Sequence, residues 1–166
     1  MQRTMSNDEL YKYTAQIEHP SEIFQLFLFN YVTGSTWIRS RGEEDTSVWD
    51  KLEGTEREIA IQIILDELKI VPDNSYIRAI GFFRDRRAMP VLINIIETYP
   101  ERFSVEKLLS AKVLHDWVGY DNYVPMLESA CRTQDDTLHS YLKYSINQFT
   151  KGLSEEEKER IMKAFE

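Results

Sequence analysis

Three histidines, one cysteine and 28 acidic side chains are the groups through which this 166-residue chain could do chemistry. His115-Asp116 is the sharpest pair, because an adjacent imidazole and carboxylate can share a metal ion that activates water against a phosphate ester. His19 upstream and Asp135 or Asp136 downstream are the residues available to complete such a ligand set. His19 stands against Pro20, where a helix must end. A histidine near a helix C-terminus, as His115 is expected to be, is welcome there without any metal. Asp136 and His139, three apart on one helix face, make a pair of ligands without further partners. Cys131 falls on the apolar side of its segment with Leu127 and reads as a small buried hydrophobe. The carboxylate pairs Glu43-Glu44 and Asp135-Asp136 sit in a loop and a cap, where solvation accounts for them. No Ser-His-Asp spacing, glycine-rich phosphate loop or paired-cysteine motif occurs. The expectation is a chain that is not an enzyme, with no catalytic residue, no metal ligands and no cofactor.

Recognition chemistry is better represented. Arg84, Arg86 and Arg87 crowd one short turn, and guanidinium forks suit carboxylates or phosphates. Trp117, Tyr120 and Tyr123 fall in the inter-helix turn that follows 35 residues on. Aromatics and arginines at successive turns have the composition of a protein interface. These six are the candidate partner-binding residues. Two bland readings stand beside that one: Arg87 bonds to a neighbouring turn, and Trp117 is buried in its own stack.

The elements that must position these residues read as helices. Ser6 with Glu9 makes a capping box for a first helix running to about Glu18. Ser21 opens SEIFQLFLFNYV, a helix or a buried strand by periodicity, with helix favoured by its neighbours and Gly34 as its stop. Residues 35 to 47 read as the longest loop, and Val48, Trp49 and Leu52 as a helical turn. Thr55 with Glu58 is expected to cap REIAIQIILDELK, an interior helix apolar nearly all round that ends before Pro72. Asp73 or Asn74 then caps the helix ending at AIGFF. After the arginine turn, Met89, Leu92, Ile93 and Ile96 form the stripe of the next helix, with Pro90 early in it. Ser104 with Lys107, the break at Gly119-Tyr120-Asp121, and Asp135 or Asp136 delimit three more helices. In the last of these Leu138, Tyr141, Leu142, Ile146 and Phe149 share one stripe, and Gly152 ends it. Ser154 with Glu157 caps a final helix with a narrow apolar face of Ile161, Met162 and Phe165. Glu156–Arg160 and Glu159–Lys163 are four apart there in the favourable order.

The pair of helices around the arginine turn resembles one unit of the short bihelical HEAT-like repeats, through Ala79, Ile80, Gly81, Asp85, Arg87, Ala88, Pro90, Leu92 and Ile93. One repeat matches well and the C-terminal half loosely. Pro90 and Pro125 lie 35 residues apart, each followed two positions later by a leucine, an interval suited to helical repeats. The second unit departs where Val113 answers Gly81 and where its turn is longer by about three residues. The resemblance implies an all-α chain forming a short right-handed α-α superhelix of antiparallel helix pairs. It would be a single domain over 1–166, with residues 1–45 as N-terminal helices and loop and 46–166 as the stack. The fold does not name a job.

Composition bounds the job. Hydrophobic residues at 42% and charged residues at 29% describe a globular chain. A net charge of −8 repels polyanions and argues against nucleic acid as the partner. A single cysteine allows no internal disulfide and suits a reducing compartment. The start MQRTMSNDELYKY lacks the apolar core of a signal peptide, and Ile23 to Val32 is about half a membrane span. The reading is a cytoplasmic, non-catalytic protein-binding module whose partner is another protein and not nucleic acid or a membrane: an adaptor or inhibitor, with bacterial immunity-type proteins as one small, acidic, helical form whose acidic surface would suit a basic, nuclease-type toxin. Oligomeric state stays open. The alternatives are a metal-dependent phosphohydrolase of the His-Asp type and a HEAT-like nucleic-acid-acting protein.

Overall fold

The structure is a computed structural model that describes residues 3–34, 47–100 and 104–166, and every described element is helical. The chain divides into two compact units, Met1–Val91 and Leu92–Glu166. The all-α class therefore stands among the described residues.

In the first unit, α1 (Asn7–Thr14) opens on the expected capping box. The Glu9 amide donates to Ser6 Oγ over 3.3 Å, and the Ser6 amide donates to the Glu9 carboxylate over 2.9 Å. The helix stops at Thr14, short of Glu18, because it buries no residue of its own and so lacks the packing that sustains short helices. Ser21 caps α2 (Glu22–Phe27), accepting from the Phe24 amide at 3.1 Å. The ambiguous segment is thus helical, and it widens into a π-helical turn, Leu28–Thr33. The expected loop lies outside the described residues except for Ser47, which begins α3 (Ser47–Lys51).

An aromatic series ties these pieces together. Ring centroids run Phe24–Phe27 at 6.2 Å, Phe27–Tyr31 at 5.6 Å, Tyr31–Trp49 at 5.3 Å and Trp49–Phe82 at 5.7 Å. The Tyr76 hydroxyl donates to the Tyr31 backbone carbonyl over 2.6 Å, satisfying a carbonyl near the end of the π turn. Behind the rings lies α4 (Gly54–Ile70), which buries Ile59, Ile61, Ile63, Ile64, Leu65 and Leu68 and is the interior helix expected. Its start differs from expectation. Gly54 takes φ +54° and the helix begins there, so Thr55 lies inside the first turn and Glu53 caps without a side-chain bond. Asp73 caps α5 (Asn74–Phe83), accepting from the Ser75 amide at 2.8 Å, and α5 packs along α4.

α6 (Ala88–Thr98) contains the boundary between the units. The second unit continues through α7 (Val105–Val118), α8 (Tyr123–Cys131), α9 (Asp136–Thr150) and α10 (Glu155–Lys163). Ser104 caps α7, Asp135 caps α9, and Ser154 with Glu157 completes the second expected capping box. Gly119 ends α7 at φ 73°, a left-handed conformation that glycine adopts without side-chain strain. Leu108, Ala111, Leu127, Cys131, Leu142, Phe149 and Ile161 fill the core around α8, which packs on α7, α9 and α10. Tyr141 leaves the expected stripe and is 37% exposed. In α10, Arg160 reaches across to Glu128 of α8 at 2.7 Å rather than back to Glu156.

α6 and α8 share a register. Each carries proline at its third position, where a missing N–H costs no intrahelical bond. Ala88, Leu92 and Ile95 of α6 are buried at positions one, five and eight, as are Tyr123, Leu127 and Ala130 of α8.

Candidate protein-binding site

The arginine turn is built by the end of α5. Arg84 stands at the C-cap in the left-handed region (φ 51°, ψ 39°), its amide donating to the Ile80 carbonyl over 3.0 Å. It is the only non-glycine residue with positive φ among the described residues. Glycine is the usual occupant of such a position, because a Cβ there crowds the backbone. A long cationic side chain is thus held at a position whose backbone would prefer none.

Three arginines of one turn have different fates. Arg87 is engaged internally: Nε donates to Asp85 Oδ1 at 2.8 Å, Nη2 to Asp85 Oδ2 at 2.9 Å, and Nη1 to Glu58 Oε1 at 2.6 Å. The Arg87 amide donates to the same Asp85 carboxylate over 2.9 Å. The Arg87 guanidinium, through those bonds, holds the Asp85 carboxyl below the usual carboxylate range, and the two carboxylates raise Arg87 in turn. The Arg84 and Arg86 residues are exposed, and their side chains make no hydrogen bond or ion pair among the described residues. Arg87 is a fastening; Arg84 and Arg86 are available.

Two further side chains complete this surface, and sequence reasoning gave neither of them a site role. Phe82 lies against Trp49 and edge-on to Phe83 at 5.7 Å, yet 43% of it faces out. It is the exposed end of the aromatic series, held rigid by the buried Trp49. Arg57 of α4 lays its guanidinium over the Phe83 ring, 4.7 Å from its centroid. Clustering of arginine and phenylalanine on neighbouring helices was in the sequence, but which ring each cation covers depends on the pairing of α4 with α5.

The second candidate group lies in the other compact unit and is treated by itself. Tyr123 is fully buried, and its hydroxyl donates to the Phe149 backbone carbonyl over 2.5 Å. It therefore presents no surface to a partner. Phe149 lies in the last turn of α9, where carbonyls lack intrahelical donors, so Tyr123 acts as a side-chain cap. Burial pushes its phenol strongly up. Lys112 does related work, donating to the Lys151 carbonyl over 3.2 Å and to Asp116 over 2.7 Å. Trp117 and Tyr120 are half-buried. Tyr120 joins Ile96, Lys107, Pro125 and Met126 around a shallow groove of about 410 Å³.

His115, Asp116 and His139 are engaged otherwise. His115 Nδ1 lies 3.2 Å from the Tyr120 carbonyl, its ring packs 5.2 Å from that of Tyr123, and Asp116 holds Lys112. His139 sets its ring edge-on to Phe165 at 5.3 Å. Among the described residues no three His, Cys, Asp or Glu side chains converge as metal ligands. Cys131 is buried, and desolvation pushes its thiol up to about 12, the opposite of a reactive thiolate. No helix among the described residues is long and apolar enough to cross a membrane.

No protein-family model, curated protein or solved structure matches this chain.

Proposed function

We propose that this chain is a non-catalytic protein-binding module, an adaptor or inhibitor that works in a reducing, cytoplasmic setting. Its helix pairs are HEAT-like repeats of a short α-α superhelix. Support for the repeats comes from the shared register of α6 and α8, with proline third and buried side chains at positions one, five and eight. The inhibitor form of the reading is a bacterial immunity-type protein, favoured by small size, helicity and a net charge of −8.

The observation that carries the reading is the α5–α6 turn. Two guanidiniums unpaired among the described residues stand on a turn whose third arginine is fully used in fixing its shape, and a rigid, outward-facing phenyl ring, Phe82, lies in the helix that leads into it. Arginine and aromatic side chains on a rigid support are the usual anchors of protein interfaces. A strained non-glycine residue kept at the turn is of the kind that marks functional sites.

Affinity capture from the source lysate tests the reading, comparing the native chain with Arg84→Glu/Arg86→Glu. The expected result is one stoichiometric protein partner, lost in the variant while circular dichroism stays unchanged. Capture of no protein at physiological salt by the native chain overturns the reading.

A further inference from the structure

The charge balance around the α5–α6 turn runs opposite to that of the chain. Arg57, Arg84, Arg86 and Arg87 cluster on α4 and the turn, and the carboxylates bonded there are Asp85 and Glu58. Both are taken by Arg87, which leaves Arg84 and Arg86 uncompensated among the described residues. A locally cationic knob on a chain of net charge −8 favours an anionic group that is small and local. A duplex or long polyanion meets the repulsion of the whole molecule, whereas a short acidic segment meets mainly the knob. All the cations are arginines, whose planar forks pair with carboxylates through two bonds. Phe82, two residues before Arg84 in the sequence and the exposed end of the aromatic series, is 43% exposed and seated on Trp49. It offers a fixed apolar contact at the end of the helix that leads into the arginine turn.

We propose that the partner element recognised by this turn is an acidic peptide segment: carboxylates engage Arg84 and Arg86, and an aromatic side chain of the segment packs on Phe82. The proposal rests on the protein-binding reading above and names the chemistry of the partner. The two guanidiniums without a partner among the described residues set the demand for negative charge. The fastening of Arg87 to Asp85 and Glu58 keeps the turn in shape while those charges are engaged. Phe82 distinguishes a peptide from a bare anion.

The test uses the full chain and a labelled synthetic peptide, Glu-Glu-Phe-Glu-Glu with blocked ends, in fluorescence anisotropy at low salt. Two comparison peptides replace either the glutamates by glutamine or the phenylalanine by alanine. Expected are saturable binding, a loss of at least tenfold with the glutamine peptide and with Arg84→Glu/Arg86→Glu, and a loss of about threefold with the alanine peptide and with Phe82→Ser. Arg84→Gly removes one fork while suiting the backbone, so it separates lost binding from lost folding and is expected to weaken binding about threefold or more. Binding that is absent, that is equal for the glutamine peptide, or that survives the double reversal overturns the proposal. Full competition by equimolar inorganic phosphate overturns it in favour of a simple anion site. A lysate partner captured through the turn but not displaced by the acidic peptide sinks this inference alone, whereas no lysate partner sinks the protein-binding reading beneath it.

Discussion

The Arg87 guanidinium grips Asp85 with two parallel hydrogen bonds, Nε to Oδ1 at 2.8 Å and Nη2 to Oδ2 at 2.9 Å, and extends Nη1 to Glu58 on α4. The residues are two apart in sequence, so the fork closes the turn on itself while the third bond fastens it to the neighbouring helix. The same geometry engages Asp85, which lies between Arg84 and Arg86 in the sequence, together with Glu58. A turn that uses one arginine as its clasp thereby leaves two to face outward.

Asp85 gives the clasp a pH signature. Its folded-state carboxyl lies below its ordinary value of 3.8, because Arg87 bonds to it and its ionised form is favoured. The unfolded chain then binds the proton more readily than the folded one. The stabilisation is complete above the ordinary value and is lost as the pH falls through the lower folded value. Other carboxylates held low, such as Glu9 and Glu128, contribute in the same direction. The difference between native chain and Asp85→Asn isolates the clasp: urea denaturation at pH 7 is expected to show a gap between them that narrows by pH 3. An equal gap at both values would mean the bond carries no charge-dependent stability.

Arg84 predicts a trade between stability and binding. Its backbone occupies a left-handed conformation at φ 51° that costs an L-residue about 1–2 kcal/mol relative to glycine. Arg84→Gly is expected to raise stability by about 0.5–1 kcal/mol, after allowing for glycine's greater freedom in the unfolded chain. The midpoint in urea measures it. A variant less stable than the native chain would show that the Arg84 side chain supports the fold and that its position is not held for a partner.

Tyr123 predicts the reverse. Replacing it by phenylalanine keeps the buried ring and removes the hydroxyl that caps the Phe149 carbonyl at 2.5 Å. A buried carbonyl left without a donor costs about 1–2 kcal/mol. Tyr123→Phe should therefore lower the urea midpoint while leaving partner capture unchanged. Loss of the partner from a chain that stays folded would return Tyr123 to the interface.

These contrasts mark where the sequence was legible. The capping pairs Ser6–Glu9 and Ser154–Glu157 are local, three residues apart, and the structure forms both. Thr55–Glu58 has the same pattern and fails, because Gly54 starts the helix two residues early and Glu58 answers Arg87, 29 residues away. The fate of Tyr123 was equally distant, since its acceptor lies 26 residues on. Spacing told that aromatics and arginines gather at turns. It could not tell which of them the fold would consume, because that depends on helix pairing, and no short pattern encodes it. The π turn at Leu28–Thr33 left no periodic trace in so apolar a run.

The N-terminal helix supplies the last prediction. Glu67 is 3% exposed on α4, and its carboxylate accepts from Arg3, which also reaches Glu9 at the start of α1. Met5 is buried, and the Tyr13 hydroxyl donates to Asp66 over 2.9 Å. Since α1 itself buries nothing, these contacts help tie it to α4. Removing Arg3 leaves a carboxylate in an apolar interior, an arrangement more costly than having neither charge. Arg3→Ala is expected to lose about 2 kcal/mol and to speed amide exchange throughout α1. Arg3→Ala/Glu67→Leu should recover most of the stability, because the buried charge is gone, while α1 still exchanges faster for want of its tie. If the double variant were as unstable as Arg3→Ala alone, the arginine would be acting through packing of its stem and not through the buried charge.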